Sequence, residues 1–141
     1  RSVDDFILGM YLIRFGGIIS DIESKTLPYK YDLSGKNIAI YSAGTFGQQL
    51  VKTIIDKEHC NIVGWYDDDY WEYRRCCLDV DPTEEIINKK FDYVLIATIN
   101  NDYADKIKER LINLGVKENI ILKFQCDKQI KQELLEMYLK I

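Results

Sequence analysis

A short stretch with two glycines holds the residues of this chain that are best placed to do chemistry. The stretch runs Tyr41-Ser42-Ala43-Gly44-Thr45-Phe46-Gly47, between an apolar, β-favouring run and a segment with apolar residues at helical spacing. A glycine turn between a strand and a helix is typical of folds that bind dinucleotides, because the N–H groups that open the helix can donate to a phosphate. The stretch therefore predicts a phosphate site at the turn from Ser42 to Gly47.

The turn departs at one position from the dinucleotide-binding pattern G-x-G-x-x-G. In that pattern the first glycine allows a tight turn, the second lets a phosphate approach, and the third packs the helix on the strand. This chain has Gly44 and Gly47 at the second and third positions and Ser42 at the first. The Ser42 hydroxyl could replace a backbone contact, or it could mark a site that no longer binds. The competing interpretation is that the two glycines only allow the turn and close packing.

An acidic residue follows the second predicted strand at a suggestive distance. Asp67 stands 20 residues after Gly47, the offset at which an acid bonds the adenosine ribose hydroxyls in dinucleotide folds. Its charge would repel a 2′-phosphate and so favour NAD over NADP. Alternatively, Asp67-Asp68-Asp69 is an acidic turn where a strand meets water. A metal site there is not expected, because the carboxylate spacing of a calcium loop is missing.

Polar residues also follow the third predicted strand. Thr98 and Asn100 would border the ligand crevice at the carboxyl ends of the strands and could bond a ribose or a sugar. We expect Asn101 or Asp102 to cap the helix that follows. Thr98 is therefore added to the candidate binding residues.

Catalytic groups are scarce. None of the ten tyrosines is followed four residues later by the lysine of a Tyr-x-x-x-Lys acid–base pair. The lone His59 makes a zinc site improbable, and no catalytic or metal-binding residue is predicted. An aromatic cluster after the second strand could stack on a base or sugar, or could form a partly buried loop or a protein contact. Its members are Trp65, Tyr66, Tyr70, Trp71 and Tyr73.

The order of predicted elements indicates the fold class. Apolar runs predict strands at 37–41, 61–66, 92–97 and 119–123, and helical spacing predicts helices at 48–57, 101–114 and 127–141. Residues 70–82 are predicted to be a loop with a short edge strand at 77–80, and Asp81-Pro82 is predicted to open another helix. Continuously apolar strands that alternate with helices predict an α/β fold, a three-layer, doubly wound parallel sheet.

Size and composition bound the domain organisation and the function. The 141 residues carry a net charge of −4, which gives no broad field for nucleic acid or anionic lipid, and no apolar run is long enough to span a membrane. We divide the chain into a helical lead-in and connector, 1–34, and one α/β domain, 35–141. The four cysteines form no C-x-x-C pair, which favours reduced thiols and a cytoplasmic location. A chain of this size has room for a cofactor domain or a substrate domain, so we expect a binding module.

Four stretches of the chain resemble a known family. They read KNIAIYSAGTFGQQLVKTI, IVGWYDDD, FDYVLIATINNDYADKIKERLINLGV and ENIILK, and they cover residues 36 to about 123. They are similar to the Rossmann-like, nucleoside-diphosphate-sugar epimerase-like modules of bacterial surface-polysaccharide proteins, whose first-strand motif is usually G-A-G-x-x-G. The resemblance implies NAD(P)-type or nucleotide-sugar contacts at Gly44, Thr45, Phe46 and Gly47, with Asp67 after the second strand.

The resemblance also implies a parent protein. LPYKYDLSGKNIAIY is similar to the connector that precedes this module at the end of family 2-type glycosyltransferases, and Arg1 in place of Met favours a piece of a longer chain. Our leading hypothesis is a non-catalytic module of a glycan-synthesis protein that binds NAD or a nucleotide-diphosphate sugar and contacts a neighbouring domain. The second is the cofactor domain of an NAD-dependent sugar-nucleotide epimerase or dehydratase. The third is a self-association domain, such as a homodimer, that binds no ligand.

Overall fold

The computed structural model describes residues 32–58, 60–98 and 100–123. The predicted last helix, 127–141, and all of the predicted lead-in before Asp32 lie outside these residues. In chain order the elements are β1 (Asn37–Tyr41), α1 (Thr45–Lys57), β2 (Asn61–Tyr66), α2 (Tyr70–Arg75), a 3-10 helix (Thr83–Asn88), β3 (Tyr93–Ile96), α3 (Asn101–Asn113), a second 3-10 helix (Glu118–Ile120) and β4 (Ile121–Lys123).

The strands form one four-stranded sheet in the order β2-β1-β3-β4, and each described pairing is parallel. The predicted α/β class with a parallel sheet is therefore confirmed. The chain passes from β1 to β2 at one edge and returns to β3 on the other side of β1. The loops that follow β1 and β3 consequently leave the carboxyl edge of the sheet next to each other, which is where open α/β sheets form a crevice.

The central strand β1 is covered on both faces. Its residues Ile38 to Tyr41 are at most 1% exposed. Ala39 and Tyr41 belong to a core cluster with residues of β3, the first 3-10 helix and α3, whereas Ile38 and Ile40 alternate with them and face the other way. Burial on both faces explains why the strand reads as a continuous apolar run rather than as an alternating one.

The segment after β2 differs from the prediction. Instead of a loop with an edge strand at 77–80, residues Tyr70–Arg75 form α2, and an isolated parallel bridge joins Tyr66 to Asp81. Arg74 holds this arrangement, because its Nε donates to the Val80 carbonyl at 2.8 Å and its terminal nitrogen to Asp81 at 2.8 Å. The α2 helix has no buried residue, so its sequence has no apolar periodicity from which a helix could be predicted.

Four predicted element starts shift. The third strand begins at Tyr93 rather than at residue 92. The first helix begins at Thr45 rather than at residue 48. The helix predicted to open at Asp81-Pro82 is a 3-10 helix that Pro82 precedes in an extended conformation, without a side-chain cap. The last described strand begins at Ile121 rather than at 119, because Glu118–Ile120 form a 3-10 turn. None of the described helices combines the length and the apolar character that crossing a bilayer requires.

Candidate functional site

The turn after β1 holds Ser42 in a backbone conformation that suits glycine. Its φ is 90°, a value that L side chains rarely adopt, and the residue is only 1% exposed. Its Oγ is buried and has no hydrogen-bond partner. Ser42 therefore occupies the first-glycine position of the motif with the backbone of a glycine. It carries both a strained backbone and an unsatisfied hydroxyl, a combination that marks functional sites.

Gly47 packs against the same turn so closely that no side chain fits. A Cβ at this position would lie 2.2 Å from the Ser42 carbonyl oxygen and 2.9 Å from its carbonyl carbon. The same Cβ would lie 3.7 Å from the Cβ of Ala97, which follows β3. The helix can approach the strand loops only because position 47 has no side chain, so the predicted packing role of this glycine is confirmed.

The first turn of α1 keeps unfilled hydrogen-bond donors. Gly44 is the N-cap and makes no side-chain cap, and no acidic residue lies in the first turn. In the described part of the chain, no acceptor bonds the N–H groups of Gly44, Thr45 or Gly47. Thr45 and Phe46 are partly exposed, whereas both glycines are buried. The helix thus presents free donors and its positive end to the solvent side at Thr45.

Asp67 fixes the turn from the other side. Its Oδ2 accepts from the Ala43 N–H at 2.8 Å, and its Oδ1 accepts from the Asp69 N–H at 2.8 Å. The residue is 4% exposed. The ribose contact predicted for Asp67 stays a prediction, because a carboxylate has lone pairs left after two such bonds. At this burial, the contact would require the loop after β2 to move.

Two further side chains hold the turn, and no motif in the sequence predicts either role. The Trp65 Nε1 donates to the Ser42 carbonyl at 2.8 Å, and the Gln48 Nε2 donates to the Ala43 carbonyl at 2.8 Å. The pairing of Trp65 with the turn depends on the β1–β2 register, in which it lies beside Ile40. The strand register, rather than local spacing, brings these groups together.

Thr98 lies next to the turn with its hydroxyl already engaged. It is one residue beyond Ala97 and 4% exposed, and its Oγ1 accepts from the Asn100 N–H at 3.2 Å. The Asn100 side chain caps α3 by accepting from the Tyr103 N–H at 3.0 Å. The predicted caps Asn101 and Asp102 are therefore wrong by one or two residues. A ribose contact by Thr98 stays a prediction.

A chain of hydrogen bonds and ion pairs links two acids beside the site to the core and to Arg110. Thr83 Oγ1 donates to Asp68 at 2.7 Å, so Tyr41 must donate its own proton to Thr83, 2.8 Å away. Asp68 also pairs with Arg110, which contacts Glu84 at 2.9 Å. Arg110 thus balances part of the negative charge at the carboxyl edge, while Asp67 beside the turn is held by backbone N–H groups alone.

The buried Tyr41 phenol, bonded to Thr83, makes the stability of the protein sensitive to alkaline pH. Burial raises the pKa of the Tyr41 phenol well above its usual value. Above about pH 10 the unfolded phenol ionises first, so the free energy of unfolding should fall by up to about 1.4 kcal/mol per pH unit. Between pH 9 and pH 11, urea denaturation should show a smaller fall in the free energy of unfolding for Tyr41→Phe than for the wild type. Equal falls would contradict this assignment.

The aromatic cluster divides into different roles. Tyr66 is fully buried, Tyr70 lies under the Arg74 guanidinium at 4.9 Å, and Trp71 is 67% exposed. Cys60, Cys76 and Cys77 are free thiols. Within residues 32–58, 60–98 and 100–123, no group of three His, Cys, Asp or Glu side chains is arranged to hold a metal ion.

Comparison with known protein families identifies the family of the chain. The family described as C2185-like, N-terminal, matches residues 34–122, which is more than half of the chain and includes each predicted binding residue. No curated protein matches the chain.

Proposed function

The chain belongs to the C2185-like, N-terminal family, and from its site geometry we propose that it is a non-catalytic nucleotide-binding module. The ligand is NAD or a nucleotide-diphosphate sugar, and its phosphates bind at the N-terminus of α1. The proposal includes a Rossmann-like, three-layer arrangement, which the strand order β2-β1-β3-β4 supports.

One observation carries this proposal: unsatisfied polar groups gather at one place. The N–H groups of Gly44, Thr45 and Gly47 have no acceptor among the described residues, and the Ser42 hydroxyl beside them has no partner. A phosphate is an acceptor that matches such donors, and the positive end of a 13-residue helix favours its charge. A turn that served packing alone would gain stability from an acidic or hydroxyl cap, yet Gly44 supplies none.

The rest of the proposal comes from the resemblance. The module would serve a bacterial glycan-synthesis protein of the glycosyltransferase type, in the cytoplasm, next to another domain of a longer chain. The missing Tyr-x-x-x-Lys pair favours binding without catalysis over the cofactor domain of an epimerase or dehydratase.

Self-association is a second candidate. Trp71 is 67% exposed, Ile55 62% and Ile87 58%, and large exposed apolar side chains are typical of protein contacts. Light scattering of the full chain distinguishes a dimer from a monomer. A dimer that binds no nucleotide would favour this candidate.

Thr45→Asp should act on stability and on binding in opposite directions. The new carboxylate would interact with the helix dipole and the free N–H groups, raising the free energy of unfolding by about 0.5 kcal/mol. The same charge would repel a phosphate, so nucleotide affinity should fall at least about tenfold. Urea denaturation and calorimetric titration with NAD, NADH and UDP-glucose measure the two effects.

Thr45→Asn is the matched control, because it has the same shape as Asp and no charge. It should bind nucleotides within about threefold of the wild type. If the wild type binds none of the three ligands at millimolar concentration, or if the Asp variant binds them as well as the Asn variant, the proposal is wrong.

A further inference from the structure

A groove of about 540 Å³ runs along α1 on the side of the edge strand β2. Its apolar wall is formed by Val51 and Ile55 of the helix, Trp65 of the strand, and Leu78 of the segment after α2. This volume lies within the range of small-molecule sites, roughly 300–1,000 Å³. The groove is separate from the crevice between the loops that follow β1 and β3.

One end of the groove lies beside the residues that hold the phosphate turn. Two of its lining residues, Gln48 and Trp65, donate hydrogen bonds of 2.8 Å to the carbonyls of Ala43 and Ser42. Gln48 lies only three residues after Thr45, one helical turn from the free N–H groups. The end of the groove at Gln48 and Trp65 therefore lies within a few ångströms of the turn, near the place where a bound phosphate would sit.

The chemistry of the groove suits a planar, polar-edged ring. Trp65 and Ile55 both line the groove, and Ile55 is 62% exposed, so a flat ring could bury apolar surface there. The side chains of Gln49, Lys52 and Asp56 line the same groove and have no hydrogen-bond or ion-pair partner in the described part of the chain. Together they offer donors and acceptors, as the edge of a nucleobase does.

We infer that this groove holds the base of the bound nucleotide, stacked beside Trp65 and Ile55. The inference rests on the proposed function, because the phosphate at the α1 terminus sets where the base begins. It adds a base-binding surface on the outer flank of α1, with Gln49, Lys52 and Asp56 as the residues that read the ring edge.

The test separates the base from the phosphate. ADP, UDP and inorganic pyrophosphate are titrated into the full chain and into Ile55→Gln, which keeps a helix-forming residue and adds no charge. The variant should weaken ADP or UDP about fivefold and leave pyrophosphate unchanged. Ile87→Gln is the matched control, because Ile87 is 58% exposed and lies outside this groove.

A spectroscopic readout follows the base directly. In a Trp71→Phe background Trp65 is the only tryptophan, so its fluorescence should change with ADP or UDP and not with pyrophosphate. If ADP and UDP bind but Ile55→Gln behaves like Ile87→Gln and Trp65 does not respond, the base lies elsewhere and only this inference is overturned. If neither nucleotide nor pyrophosphate binds, the proposed function fails and the inference fails with it.

Discussion

Replacing Asp67 with Asn is expected to lower the free energy of unfolding by about 3 kcal/mol. Both carboxylate oxygens accept backbone N–H groups at 2.8 Å, from Ala43 and Asp69, in a residue that is 4% exposed. An amide has one oxygen and one NH₂ group, so one N–H would face another donor. The loss combines a broken charge-assisted bond with a buried, unsatisfied N–H, and urea denaturation at neutral pH measures it.

Asp79→Asn is the control for Asp67→Asn. Asp79 is exposed and forms no hydrogen bond or ion pair with the described residues, so its replacement should change stability by no more than about 0.5 kcal/mol. If Asp67→Asn were as stable as Asp79→Asn, Asp67 would not hold the turn. Its carboxylate would then be free to serve as the ribose ligand alone.

Replacing Gly47 with Ala should cost at least about 3 kcal/mol. The added methyl would lie 2.2 Å from the Ser42 carbonyl oxygen, a backbone atom that cannot rotate away. Relief would require α1 to move away from β1, which would loosen close packing around the turn. Thermal and urea denaturation of the purified variant measure the loss.

Two variants isolate the cause of the Gly47→Ala effect. Gly35→Ala adds a methyl at φ +72° with no atom within 4 Å, so it reports only the backbone cost, about 1 kcal/mol. Ser42→Gly should act in the opposite direction and stabilise the chain by about 1 kcal/mol, because it removes a positive-φ side chain and a buried, unpaired hydroxyl. A Gly47→Ala chain no less stable than Gly35→Ala would show that the turn is not tightly packed.

The sequence predicted the first two strands to the residue. β1 and β2 have the predicted bounds, Asn37–Tyr41 and Asn61–Tyr66, because each is a run of apolar residues bounded by polar residues. The third helix also agrees to within one residue, since its apolar face repeats at helical spacing and Gly115 follows at φ +107°. These features depend on neighbours in the chain, which local patterns record.

The features that the sequence could not predict depend on distant contacts. The α2 helix has no buried face, and its position is held by Arg74 bonding to Val80 and Asp81. The candidate residues at the turn were identified from their spacing, but the bond from Trp65 to Ser42 was not. It requires knowing which residues of β1 and β2 lie side by side, and register is set by the packed sheet rather than by either strand.

The turn after β1 shows both what residue spacing predicts and what it cannot predict. Spacing identified Gly44, Gly47 and Asp67 as a group, and the structure brings them together around Ala43. Spacing could not reveal that both oxygens of Asp67 are used by main-chain N–H groups. That use is a property of the folded loop after β2, and it decides which donors at the turn remain available to a ligand.

Backbone amide NMR of the ¹⁵N-labelled chain, titrated with ADP, tests the central claim most directly. We expect the amide resonances of Gly44, Thr45 and Gly47 to shift on binding, because a phosphate would fill donors that have no acceptor in the described residues. The Ala43 amide should shift least, because Asp67 already occupies it. If the amide resonances at the α1 terminus do not shift, whether or not other resonances do, the account is contradicted.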